Sequence, residues 1–231
     1  MSTRSIRAAA VVAATAAALL LAGCSPAPIQ RPVAAVGTPV AAAGDSTPSE
    51  VVAIGDSIAF GKGVRPDQAW PALVADAQNW HLTDLAVSGS GFVHKGWNGT
   101  TFRQQVDQAL RLRPDYILIA ATRNDRDDDP AAVERACTQL LGELREAFPH
   151  ARIIGTTAIW GSDTPPASVE RVDAIAETAV TDVGGSFLDV GFPLVGHPEW
   201  LQPDGIHPNA LGQDVVAKVV EAKLAPLDLA L

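Results

Sequence analysis

The sequence predicts an α/β fold in three layers, a doubly wound sheet of five parallel strands with helices on both faces. Two observations carry this expectation. Short apolar runs of strand length alternate with longer stretches of helical period. Each apolar run also stops abruptly at a cluster of Gly, Ser, Asp, Asn or Thr, as a strand does where it feeds a loop at the sheet edge.

The strand-like runs are residues 51–54, 82–87, 116–121, 153–158 and 186–190. Between them, and after the last, residues 67–78, 101–112, 131–148, 167–183 and 209–224 read as helices. The third helix is the clearest. Asp129 can cap it, Pro130 suits its first position, Val133, Cys137, Leu140, Leu141 and Leu144 form one apolar face, and Pro149 ends it. Repeated strand–helix units joined by right-handed crossovers give a parallel sheet, and five strands in a chain of this size suit a flavodoxin-like order. Ligands of such sheets bind beyond the carboxyl ends of the strands, so chemistry is to be sought there.

Upstream of the sheet, Arg4 and Arg7 precede an uncharged apolar run at 8–21 and then Leu21-Ala22-Gly23-Cys24. A charged start, a short apolar stretch and small residues before a cut are the marks of a secretory signal. The run is shorter than the ~20 residues of a membrane-spanning helix. Cys24 after Leu-Ala-Gly resembles a bacterial lipobox, in which that cysteine is lipidated. Residues 1–23 are therefore expected to be a signal peptide. Residues 24–49, rich in Pro, Ala, Gly and Thr, read as a lipidated tether too poor in large apolar side chains to fold. Residues 50–231 read as one domain. The protein is expected outside the cytoplasm, held to the membrane only through Cys24, and monomeric.

The formal charge of −9 becomes two units more negative without Arg4 and Arg7, which argues against nucleic-acid partners and against electrostatic attachment to anionic lipid. With Cys24 assigned to the lipobox, Cys137 stands alone and reads as a small buried hydrophobe. His81, His94, His150 and His197 have no metal-type spacing, and neither a metal nor a cofactor is expected. Gly61-Lys62-Gly63 is not a phosphate loop, and the Gly-x-Ser-x-Gly elbow is absent from the sequence.

The strand ends carry Asp56-Ser57, then Ser88-Gly89, then Thr122-Arg123-Asn124-Asp125, then Trp160-Gly161-Ser162, and finally Asp204-Gly205-Ile206-His207. A serine hydroxyl attacks a carbonyl only as a base removes its proton, and a histidine titrates in the range to do so. An acid three residues before that histidine can fix its tautomer, as Asp204 would for His207. The Ser57 and Gly89 amides and the Asn124 side chain could receive the developing oxyanion.

In chain order, Gly55-Asp56-Ser57, Ser88-Gly89, Asn124-Asp125 and Asp204-x-x-His207 resemble the four blocks of the SGNH-hydrolase (GDSL esterase) family. The resemblance implies metal-free serine esterase chemistry with Ser57 as nucleophile, Asp204 and His207 completing a triad, and Ser57, Gly89 and Asn124 as oxyanion donors. Two departures stand out. Asp84 and Ala86 replace the usual Asn and Gly of the second block, and Thr122 replaces the glycine of Gly-x-Asn-Asp. Thr122 is expected to narrow the approach to Asn124 without supplying a donor, and Asp125 to bond local backbone. Arg123, Trp97, Trp160 and Trp200 are candidate substrate-lining residues by position, with core packing the alternative for each tryptophan. The expected substrate is a small or medium acyl ester. An acetyl-carbohydrate esterase or an acyltransferase would use the same groups, whereas a binding lipoprotein would not need all five.

Overall fold

The computed structural model describes residues 47–227 and 229. Its five strands are β1 Ser49–Ile54, β2 Trp80–Asp84, β3 Tyr116–Ala120, β4 Arg152–Thr156 and β5 Ser186–Leu188, all parallel and ordered β2-β1-β3-β4-β5. The helices are α1 Trp70–Ala77, α2 Phe102–Ala109, α3 Pro130–Ala147, α4 Ala167–Asp182 and α5 Ala210–Leu224.

The pleat explains the layering. Val52 and Ile54 of β1, Ile117 and Ile119 of β3 and Ile153 of β4 point to one face and pack with α2, α3 and α4. Val51, Ala53, Tyr116, Leu118 and Ile154 point to the other and pack with α1 and α5. Strands covered on both sides read as continuous apolar runs, which is how β1 and β3 appear in the sequence. On α3 the Asp129 carboxylate accepts from the Ala131 amide, and the expected apolar face is buried. Cys137 lies within it fully buried, and burial pushes its thiol pKa up to about 12.

Several boundaries differ from expectation. β2 lies two to three residues earlier than the 82–87 run, because Trp80 to Asp84 pair with Ser49 to Ala53 and the Trp80 ring stacks on Tyr116 at 4.5 Å. Past Asp84 the chain stays extended, with Leu85 N donating to Ala53 O at 2.9 Å and Val87 N to Gly55 O at 3.1 Å. β4 and β5 each stop two residues short of the apolar runs, where the Thr157 hydroxyl takes over by accepting from Val190 N at 3.1 Å. α1 starts later because a 3-10 turn occupies Pro66–Gln68, and α2 ends at Ala109.

Strand order reverses between β1 and β3. The chain leaves β1 for β2 on one side and returns to β3 on the other, opening a crevice at their carboxyl ends. At its floor Gly55 is clamped by Gln105 of α2. Gln105 Oε1 accepts from Gly55 N at 2.9 Å, and its Nε2 donates to Gly55 O and to Ser90 Oγ, each at 2.9 Å. Gln105 is fully buried and pairs the Gly55 N–H, while Gly55 O also receives Val87 N at 3.1 Å and Ser90 Oγ at 3.3 Å. Gln105→Leu should therefore strand buried polar groups at the Gly55 turn and lower stability by about 2 kcal/mol or more. Urea denaturation checks this; an unchanged midpoint would contradict the clamp.

Candidate active site

Ser57 stands at the start of the loop leaving β1, with little of its surface exposed. The loop is tightly wound. Phe60 N donates to Asp56 O and Lys62 N to Ser57 O, both at 2.9 Å, and the Asp56 carboxylate accepts from Ile58 N at 2.8 Å. Gln213 of α5 grips it from the far side, donating to Ile58 O at 3.0 Å and accepting from Trp70 N at 2.9 Å.

His207 arrives 150 residues later on a narrow hairpin. Leu201 and Pro208 form an antiparallel bridge, Gln202 N donates to His207 O at 2.8 Å, and Gly205 makes the turn at φ +66°. Asn209, capping α5, pins this hairpin through Glu199 O and Leu201 O. Within the turn, Asp204 Oδ1 accepts from Ile206 N and His207 N at 3.0 Å each, and Oδ2 lies 2.6 Å from His207 Nδ1. The His207 backbone amide and then its ring hold the Asp204 carboxyl well below the usual carboxylate range. It is thus ionised throughout neutral pH and loses its charge only when the pH falls below that lowered value. An ionised carboxylate can only accept, so Nδ1 carries the proton. That leaves the Nε2 lone pair facing Ser57 Oγ, 2.9 Å away.

Opposite this pair lies the loop after β2. Gly89 adopts φ +78°, a conformation that favours glycine, and a Cβ there would stand 3.3 Å from Gly96 Cα. Neither the Ser57 nor the Gly89 amide donates to another described residue. The loop is held by Asp125, whose carboxylate accepts from Phe92, Val93 and His94 amides at 2.7, 3.1 and 2.8 Å. Asp125 was expected to bond local backbone; the amides it holds lie more than thirty residues away, in the loop after β2. Gly91 makes room, since a Cβ there would collide with the Asp125 carboxylate.

Asn124 Nδ2 donates to Ser90 O at 2.9 Å and lies 3.5 Å from Asp56 Oδ2. Thr122 requires a correction. It does not narrow the approach to Asn124; its side chain is fully buried beneath it. The hydroxyl donates to Asp56 Oδ2 at 2.7 Å and accepts from Asn124 N at 3.1 Å. It therefore cross-links the loops after β1 and β3. Burial raises the Asp56 carboxyl pKa, and the Thr122 and Ile58 donors offset part of this.

Of the other candidates, Arg123 and Trp160 come together, with the guanidinium carbon 3.9 Å from the ring centroid. Trp97 is 71 % exposed, at the surface of the loop that carries Gly89. Trp200 stacks on His197 at 3.6 Å and packs against the α1–α5 core, which accounts for it without a ligand. Sequence reasoning missed Gln105 and Gln213. The available signal was a glutamine within an apolar helix face, as in Phe102, Gln105, Val106 and Ala109. A cavity of about 810 Å³ lies at the opposite end of the sheet among the starts of β4 and β5, away from Ser57.

The family model for the GDSL-like lipase/acylhydrolase family matches residues 53–215, and the chain belongs to that family of serine ester hydrolases. Solved structures with the same fold include the psychrotrophic esterase EstA from Pseudoalteromonas sp., at 17 % identity and TM-score 0.61 over 77 % of this chain and 97 % of that one. An acetyl-xylooligosaccharide esterase from Geobacillus Stearmophilus matches at 15 % identity and TM-score 0.59, over 79 % and 97 %. A salicylyl-acyltransferase from a tetracycline biosynthetic pathway matches at 22 % and 0.63, over 78 % of this chain but only 55 % of that one. No curated relative matches in sequence.

The Thr122 cross-link has a testable consequence. Thr122→Val keeps the shape but leaves Asp56 Oδ2 without its closest donor, so kcat on a short ester should fall about tenfold with KM little changed, and Thr122→Ser should stay near wild type. Undiminished turnover by the valine variant, with altered acyl preference, would restore the steric reading.

Proposed function

We propose that the protein is an extracytoplasmic esterase that hydrolyses small or medium acyl esters with Ser57, His207 and Asp204 as its triad. The observation that supports this best is the position of His207, bonded through one ring nitrogen to Asp204 and through the other to Ser57. As Ser57 Oγ attacks the carbonyl carbon, its proton passes to His207 Nε2, and Asp204 stabilises the imidazolium. The carbonyl oxygen becomes an oxyanion that accepts from the unpaired Ser57 and Gly89 amides and from Asn124 Nδ2. Collapse expels the alcohol, which takes the proton from His207 and leaves an acyl ester on Ser57. Water then attacks with His207 again as base, releasing the acid and restoring the hydroxyl. Ser57, His207 and Asp204 thus complete the cycle with water alone.

A second reading keeps the chemistry and changes the substrate to an acetylated carbohydrate. The exposed Trp97 beside the Gly89 loop favours it, because an indole face stacks well on a sugar ring. Transfer of the acyl group to a sugar hydroxyl instead of water would need no further residue.

The lipid anchor at Cys24, the signal at 1–23 and the tether at 24–49 lie outside the described residues, apart from the tether's last three. No helix among the described residues is long and apolar enough to cross a membrane.

Purified protein should hydrolyse a short para-nitrophenyl ester in the presence of a chelator, and Ser57→Ala should lower kcat by on the order of 10³ or more while melting normally. Comparable turnover by that variant would refute the nucleophile assignment. In the native host, Cys24→Ala should move the protein out of the membrane fraction; retention there would refute the anchor.

A further inference from the structure

Most buried polar atoms at the strand ends have partners, but one group stands apart. Among the described residues three buried side-chain nitrogens lack a hydrogen-bond partner: Trp70 Nε1, Arg103 Nε and one η nitrogen of Arg123. Trp70 is a core residue. Arg103 is otherwise satisfied, since its η nitrogens pair with Asp107 at 2.8 Å and Glu143 at 2.6 Å. Arg123 is different, because its guanidinium makes neither a hydrogen bond nor an ion pair with any described residue. Leaving a half-buried cation unpaired is costly, and arginine offers a rigid fork of donors matched to carboxylate and phosphate.

The group is also held in place. It lies flat on Trp160, 3.9 Å from the ring centroid. Trp160 is buried and its Nε1 donates to Asp163 Oδ1 at 2.9 Å, which fixes the ring. A cation on a fixed indole face loses little freedom when it binds an anion. The pair also stands beside the chemistry. Arg123 lies in the loop after β3 and Trp160 in the loop after β4, and a Cβ on neighbouring Gly161 would lie 3.2 Å from Gly205 O, in the Asp204–His207 turn.

Three carboxylates share this neighbourhood, and each is already committed. Asp56 accepts from Thr122 and Ile58, Asp163 from Trp160, and Asp204 from His207. The nearby Arg126 pairs with Asp127 at 3.1 Å. None of them neutralises Arg123 by direct contact.

We propose that Arg123, stacked on Trp160, is a receptor for an anionic group on the substrate, so that the preferred esters carry a carboxylate or phosphate close to the scissile bond. The proposal rests on the esterase reading of Ser57. It makes Arg123 a specificity-determining residue and defines an acidic ester as the substrate class. It also accounts for a cation at the active-site rim of a chain whose formal charge is −9.

The test compares matched esters. On the acyl side, mono-para-nitrophenyl glutarate is set against para-nitrophenyl pentanoate; on the alcohol side, para-acetoxybenzoate is set against its methyl ester. Wild type should favour the anionic member of one pair, which tells on which side of the ester the anion sits. Arg123→Gln should lower the anionic-to-neutral ratio of kcat/KM for that pair about tenfold or more, and Arg123→Lys should lower it less. An equal ratio in wild type and Arg123→Gln, or an equal fall on both members, would overturn the proposal. Calorimetric titration of Ser57→Ala with glutarate and with para-hydroxybenzoate separates the two claims. Binding of either anion that is lost on adding Arg123→Gln supports the receptor even if no ester is hydrolysed, and binding of neither, or binding indifferent to Arg123, overturns it.

Discussion

The turn at Gly55 is the constraint on which the site depends. A parallel strand that ends inside a domain leaves its last backbone groups facing a dry interior, and each unpaired group there costs about 1–3 kcal/mol. Gln105 removes that cost by serving both the N–H and the C=O of Gly55, and it reaches Ser90 in the next loop with the same amide. Because the chain can break cleanly at Gly55, Asp56 turns inward to Thr122 and Ser57 turns towards His207. Ser57 is thus placed by a glutamine of α2 that bonds only backbone and the Ser90 hydroxyl.

From that turn, hydrogen bonds spread across the crevice between β1 and β3. Thr122 joins Asp56 to the Asn124 backbone, Asn124 joins Ser90, and Asp125 gathers three amides of the loop beyond Gly89. Three aspartates of the strand-end loops do different work because their surroundings differ. Burial raises Asp56 and Asp125, which serve as acceptors that tie loops together. Asp204 is held low by the His207 amide and ring, so it alone offers a fixed negative charge to the imidazole. Environment, more than residue type, divides the labour among them.

The layering was legible in the sequence because β1 and β3 are buried on both faces and read as unbroken apolar runs. The residues of the site were legible for a related reason: parallel strands must deliver all their carboxyl ends to one edge, so polar clusters after successive strands become neighbours. The edge strand β2 was misplaced by two to three residues, since its half-buried alternation marks extended chain but not which part of it pairs. Thr122 was misread because a departure from a glycine position suggests bulk, whereas its hydroxyl forms bonds visible only once Asp56 and Asn124 are in place. Gln105 and Gln213 resemble interruptions of an apolar face, and only their long-range partners, Gly55 and Ile58, reveal what they hold.

On the proposed mechanism the fold delivers one activated serine, with His207 as its base and Asp204 as the orienting acid. A fluorophosphonate that phosphonylates activated serines measures this directly. Intact mass should show a single adduct, peptide mapping should place it on Ser57, and labelling should slow by a factor on the order of 10² or more in both His207→Ala and Asp204→Asn. An adduct on another residue, or labelling of Ser57 at an undiminished rate in those variants, would rule out that triad.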